Sequence, residues 1–157
     1  MKYINRKIIE EQIGLSRKSK RKRVIYCYSK QEDNIQRMIN AVQPDSYIPP
    51  HKHLHKTEVF IALCGKFLVV EYDDFGGIKE YCIISGKGEN NGAEIQMNTW
   101  HNFIALKKDS VLYEFIDGPY INNSEHKSFP EWAPKEEEYE KGMVFITDIK
   151  KRLTAKH

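Results

Sequence analysis

The stretch PPHKHLHKTE, residues 49–58, carries three histidines at alternate positions and closes on a glutamate. Half of the chain's six histidines fall inside it. On extended backbone, side chains two apart share a face, so His51 and His53 stand side by side about 6.6 Å apart along the chain. Imidazoles at that separation can converge on one ion, with nitrogen–metal distances near ~2.1 Å. Glu58 lies an odd number of positions past His53, which on an unbroken strand would place it on the opposite face. The polar LHKT segment therefore has to turn, and Glu58 then opens the next strand, VFIAL, beside the histidines. Neutral imidazoles and an ionised carboxylate form an N and O ligand set that binds divalent ions near pH 7. The plainer alternative is a solvated loop with a chance cluster.

A fourth ligand has to come from a different strand. His101, in NTWHNFIAL, is the histidine that leads into a core-strand pattern. His126 sits in a polar turn and His157 at the terminus, where exposure is the default, and His55 falls where the turn has to start. The expected metal set is thus His51, His53, Glu58 and His101, with Lys52 alternating away from the ion. Such a set accepts one divalent transition metal ion, Fe, Mn, Ni or Zn, without naming it. Because ligand nitrogens must be neutral, affinity is expected to fall as pH drops through the imidazole range near ~6.5.

These side chains need a scaffold to bring them together. RVIYCYS, IQRMINAV, VFIAL, KFLVVEY, KEYCIIS, AEIQM, HNFIAL and SVLYEFI are short runs rich in β-branched and aromatic residues. Turn signals such as QPDS, DDFGG, SGKGENNG, KKDS and DGPYINNS separate many of them, a pattern of an all-β sandwich or barrel. At the N-terminus, Ile4, Ile8, Ile9 and Ile13 recur at helical spacing with Gly14 as a stop. After Pro134, placed at a first helical position, Tyr139, Met143, Ile146, Ile149 and Leu153 line one helical face, although Gly142 weighs against continuity. The expected organisation is one domain: residues 1–33 with the N-terminal helix, a basic run and the first strand; 34–130 as the barrel; 131–157 as a helical tail.

Composition narrows the functional classes. With 157 residues and a formal charge of +3, the chain is a single domain with no strong call for nucleic acid. The run RKSKRKR, residues 17–23, has no interleaved aromatics and reads as a solvated face or linker. No apolar run reaches the roughly 18 residues of a membrane span, and the N-terminus lacks the apolar core of a signal peptide. The expected location is cytoplasmic. Cys27, Cys64 and Cys82 show no CxxC spacing and read as small hydrophobes within strands. Arg37 is expected to pair with a nearby carboxylate.

The motifs carry a resemblance. H-x-H, four residues, E, six residues, G is the first signature of the cupin superfamily, met here by His51, His53, Glu58 and Gly65. The second signature ends in a histidine that matches His101. The blocks NIQRMINAVQPDSYIPPHKHLHKTEVFIALCG, EFIDGPY and FPEWAPKE resemble the WbuC-type cupin-fold metalloproteins. Asp45, Gln96 and Asn98 depart from the usual glycine, proline and glycine, and RVIYCYS is less polar than in those relatives. Asn98 still tolerates the positive φ such a turn demands.

The resemblance implies a mainly β, single-domain cupin (a jelly-roll, double-stranded β-helix barrel) with short N-terminal and C-terminal helices. It also implies a setting in bacterial surface polysaccharide or lipopolysaccharide synthesis, a sugar-derived or nucleotide-sugar ligand, isomerase- or epimerase-like chemistry, and a homodimer. Tyr47 and Tyr120 are candidates for a general acid near the metal, as are Tyr72 and Tyr113, with the core or rim as their plainer place. Two other readings stand beside the metalloenzyme: a non-enzymatic, metal-dependent sugar-binding or regulatory module, and a metal-free epimerase with a His base and a Tyr acid.

Overall fold

The computed structural model describes residues 1–120 and 126–154. Eight strands and two helices follow in the order α1 (Arg6–Lys18), β1 (Arg23–Cys27), β2 (Ile35–Val42), β3 (Glu58–Cys64), β4 (Phe67–Tyr72), β5 (Ile78–Ile84), β6 (Gly92–Ile95), β7 (Trp100–Ala105), β8 (Ser110–Asp117) and α2 (Tyr139–Thr154). Each expected strand is present. They form a five-stranded sheet, β1-β2-β8-β3-β6, and a three-stranded sheet, β5-β4-β7. All pairings within the two sheets are antiparallel.

Alternation along the strands explains the layers. Val42, Phe60, Ala62, Phe67, Val69, Phe103, Ala105 and Leu112 point inward and form the core between the sheets. The opposite parity on β4 and β7 places Leu68, Val70, Tyr72 and Ile104 against Ile146 and Ile149 of α2. On the outer face of the large sheet, Ile39, Ala41, Val111 and Tyr113 meet Ile8, Ile9 and Ile13 of α1. Strand β4 is therefore covered on both faces, which is why FLVV, residues 67–70, is a continuous apolar run. Each large apolar side chain fully buried this way contributes about 1.5–3 kcal/mol.

Helix boundaries differ from the expectation. The Asn5 side chain accepts from the Ile8 amide and caps α1, leaving Ile4 outside and exposed. Gly14 does not stop α1, which runs on to Lys18. Pro134 does not open α2; it lies ahead of the helix, and its carbonyl accepts the Tyr47 hydroxyl at 2.5 Å.

Gly142 sits inside an unbroken α2 because the Tyr47 ring packs against it: an added Cβ would meet that ring at 2.2 Å. Alanine would gain about 1 kcal/mol of helix propensity, but overpacking against a buried, hydrogen-bonded ring costs about 1–3 kcal/mol. Gly142→Ala is therefore expected to lower the unfolding temperature by a few degrees in a thermal melt. A rise would show that the helix can shift off Tyr47.

The basic run is not simply solvated. Arg23 is buried and donates to the Tyr47 carbonyl at 2.8 Å and to Glu136 at 2.7 Å, tying β1 to the segment before α2. Arg17 pairs with Asp109, and Arg21 with Glu136. Arg37 pairs with Asp33 at 2.7 Å, as its plainer reading held. Cys64 and Cys82 are half-buried in strands, whereas Cys27 is exposed on β1 and faces a cavity. Among the described residues no helix is long and apolar enough to cross a membrane.

Candidate metal centre

His51 and His53 lie on an extended segment that runs antiparallel to the start of β7. His51 and His101 exchange backbone hydrogen bonds at 2.9 Å in each direction, and the Asn98 amide donates to the His53 carbonyl at 2.7 Å. Asn98 holds the positive φ, 59°, that the turn before β7 requires. Leu54 and His55 make the exposed turn that lets Glu58 open β3 with its side chain inward. The result brings one ligand atom each from His51, His53, Glu58 and His101 within 4.8 Å of one another. All four residues are 3% exposed or less. Lys52 points away, its ammonium 4.4 Å from the Trp100 ring centre.

Hydrogen bonding fixes which nitrogens face the cluster. His51 Nδ1 contacts the Pro49 carbonyl at 2.9 Å, His101 Nδ1 contacts the Thr99 carbonyl at 2.9 Å, and His53 Nδ1 contacts the His126 carbonyl. A carbonyl only accepts, so each Nδ1 carries the hydrogen and each neutral ring turns an Nε2 lone pair inward. His101 Nε2 then stands 2.8 Å from a Glu58 oxygen, and His53 Nε2 stands 3.6 Å from it. His53 Nε2 is buried with no hydrogen-bond partner. Three lone pairs and a carboxylate thus face one another, a set of acceptors that a divalent cation would satisfy. Carbonyl partners on the remote nitrogens are the outer support that metal-binding histidines use. The residues fit the ion.

Electrostatics favour the same protonation states. Burial lowers the His53 imidazole to about 3 and His101 to about 4, against the partial support of their carbonyl partners. Burial also holds His51 well below its ordinary range, with the Lys127 ammonium adding to the effect. Burial raises the Glu58 carboxyl, while a hydrogen bond from Glu114 and the charge of Lys127 pull it back. Glu114 is raised well above the ordinary carboxyl range by burial and by the adjacent Glu58, so it is the member of the pair that keeps the proton.

A cavity of about 760 Å³ opens beside His53, walled by the inward faces of β1, β2 and β8 and by the segment 126–129. Tyr120 lines it, its ring 4.5 Å from that of His126. Tyr47 does not: it is buried under α2, where burial raises its hydroxyl. Tyr72 donates to Asn102 on the same outer face, and Tyr113 packs beneath α1. His126 is not the exposed turn residue expected; it is half-buried, and its ring packs 5.1 Å from that of His53. His157 and part of the turn DGPYINNS lie outside the described residues.

Two residues at this site escaped the sequence reading. Glu114 shares the inward parity of Leu112 and Ile116, so a lone carboxylate on an apolar strand face was the available signal. Lys127 had none, because its place depends on the 126–128 segment pairing with Lys52 through two backbone hydrogen bonds.

A double-stranded β-helix protein from Klebsiella pneumoniae superposes with a TM-score of 0.59 at 11% identity, over 83% of this chain and 98% of that one. The capsular polysaccharide assembling protein CapF of Staphylococcus aureus gives 0.55 at 20% identity, over 68% of this chain. This chain spans 29% of the length of CapF. The L-ribose isomerase of Geodermatophilus obscurus gives 0.53 at 13% identity, over 69% of each chain. At these identities the likeness shows the double-stranded β-helix fold. No curated protein sequence matches the chain significantly. The profile described as domain of unknown function DUF6016 matches residues 4–84, a span that holds His51, His53 and Glu58. The chain belongs to the DUF6016 family.

Proposed function

We propose that this protein is a metal-dependent cupin that acts on a sugar or nucleotide-sugar in the building of bacterial surface polysaccharide, by isomerisation or epimerisation. The observation that carries the metal is the convergence of three Nε2 lone pairs and the Glu58 carboxylate, with His53 Nε2 buried and unpartnered. The sugar setting draws on the resemblance to WbuC-type proteins, and on CapF and L-ribose isomerase among the structural relatives.

A bound divalent ion would polarise a substrate oxygen. The chain supplies the rest. Isomerisation and epimerisation both move a proton at carbon, and the cavity wall offers Glu114, His126 and Tyr120 as groups that can hold one. Ile25, Met38 and Ile116 give one side of the cavity an apolar wall. Titratable groups beyond the four cluster residues favour the enzyme over a non-enzymatic binding module.

Purified protein is expected to hold close to one divalent transition ion per chain by elemental analysis. The loaded protein should interconvert a sugar or nucleotide-sugar in an NMR-monitored screen, and a chelator should stop it. Conversion that survives complete chelation would favour the metal-free epimerase, and sugar binding without conversion would favour the module.

A further inference from the structure

The proposed function leaves one charged group unused. Lys127 lines the cavity, and its ammonium acts on His51, His53, His101, Glu58, Glu114 and His126 alike. Its charge is thus shared among the metal cluster and the cavity wall, where it lies with His53, Glu114 and His126. Among the described residues it forms no ion pair, although Glu58 and Glu114 attract its charge from a longer range. Glu114, the one carboxyl among the lining residues, is already engaged: it accepts from Asn40 at 2.7 Å and hydrogen-bonds Glu58.

We propose that Lys127 makes this cavity a carboxylate-binding site, so that the ligand of the preceding reading is an acidic sugar whose carboxylate pairs with the Lys127 ammonium. The inference rests on that reading for the sugar and on the cavity itself for the charge. An ammonium drawn among protein groups with no ion pair among the described residues is costly, and a bound anion offsets the cost. With a divalent ion held by a single carboxylate, a second cation lining the neighbouring cavity would meet net positive charge, which an anionic ligand relieves.

Carboxylate fits better than phosphate. No arginine lines the cavity, and the described wall offers no helix N-terminus, whereas phosphate sites gather several donors. The cavity volume, about 760 Å³, suits a monosaccharide-sized ligand. Phe129 and Tyr120, both exposed and lining the same cavity, supply aromatic rings of the kind that pack on the apolar face of a pyranose. Burial lowers the Lys127 pKa while Glu58 and Glu114 oppose it, and a paired carboxylate would hold the amine protonated.

The test is calorimetric titration of the metal-loaded protein with D-glucuronate, D-glucose, D-glucose 6-phosphate and glycolate. Glucuronate is expected to bind at least about tenfold tighter than glucose, a difference of the size one charge-assisted contact gives. Lys127→Gln should erase that preference and Lys127→Arg should keep part of it, with metal content by elemental analysis undiminished in both. Should Lys127→Gln not fold, the native preference among the four probes still decides. Equal binding of glucuronate and glucose, a preference for the phosphate, or no binding by any probe would overturn the carboxylate site. Lys127-dependent binding of glycolate with no sugar bound would support the carboxylate site and remove the sugar from the proposed function.

Discussion

Glu58→Gln and His53→Ala are each expected to strip the ion from the protein, from close to one per chain to below about a tenth. Glu58 is the only anion among the four residues brought together, and it is 3% exposed. Glutamine keeps the shape and removes the charge that balances a divalent cation in a buried, weakly screened site. Alanine at position 53 removes one lone pair and also the ring that His126 packs against and supports through its carbonyl. Outer-shell partners alone are worth about 10–100-fold in metal affinity, so loss of a ligand should exceed ~100-fold. Elemental analysis and competition with a chromogenic chelator would read both effects. His55→Ala, in the exposed turn, should leave the ion in place. A Glu58→Gln protein that still purifies with a full complement would end the case for this centre.

The sequence reading reached the parts of this arrangement that period and spacing encode. Alternation put His51 and His53 on one face, the odd count to Glu58 demanded a turn, and the structure has that turn at Leu54 and His55. Gly65 at φ +76° explains its motif position: an added Cβ would lie 2.2 Å from the Ser110 hydroxyl. Helix ends were less legible because side-chain caps and tertiary contacts set them. Asn5 starts α1, Gly14 has open space and no reason to break it, and Tyr47 claims the Pro134 carbonyl before α2 begins. The same contact removed Tyr47 from the candidates. Its position in PDSYIPP, two residues before a proline pair, says nothing of a helix arriving from the other end of the chain. Lys127 was invisible for a like reason, since a bridge between Lys52 and Ser128 places it.

The second large effect is in acid, on the metal-free protein. An unfolded imidazole takes a proton near pH 6.5. In the folded chain burial holds His101 down to about 4, His53 to about 3 and His51 well below its ordinary range. Between those values the unfolded chain binds protons that the folded chain refuses, so stability falls as pH drops below about 6.5. The stability these groups contribute is complete above the unfolded value and is lost toward the folded one. The full slope is about 1.4 kcal/mol per pH unit for each imidazole, but the unfolded groups are half protonated at pH 6.5, so three give roughly 3 kcal/mol from pH 6.5 to 5.5. Glu58 and Glu114 act in the opposite sense, because raised carboxyls regain stability as they protonate. If both were protonated in the folded chain throughout that interval they would offset about 2.5 kcal/mol of this, leaving a net loss between about 0.5 and 3 kcal/mol. For a chain of this size that lowers the unfolding temperature by about 1–12 °C. A bound ion should hold the three imidazoles neutral and flatten the profile, with release only where protons compete at the depressed values. The ion is then expected to stay through pH 5 and leave nearer pH 4, not near ~6.5 as exposed histidines would have it. Thermal melts of chelated and loaded protein at pH 7.5, 6.5, 5.5 and 4.5 would check both statements. A chelated protein equally stable from pH 7.5 to 5.5 would mean that the cluster admits protons freely, and a cluster open to protons is not the dry, lone-pair-lined cage described here.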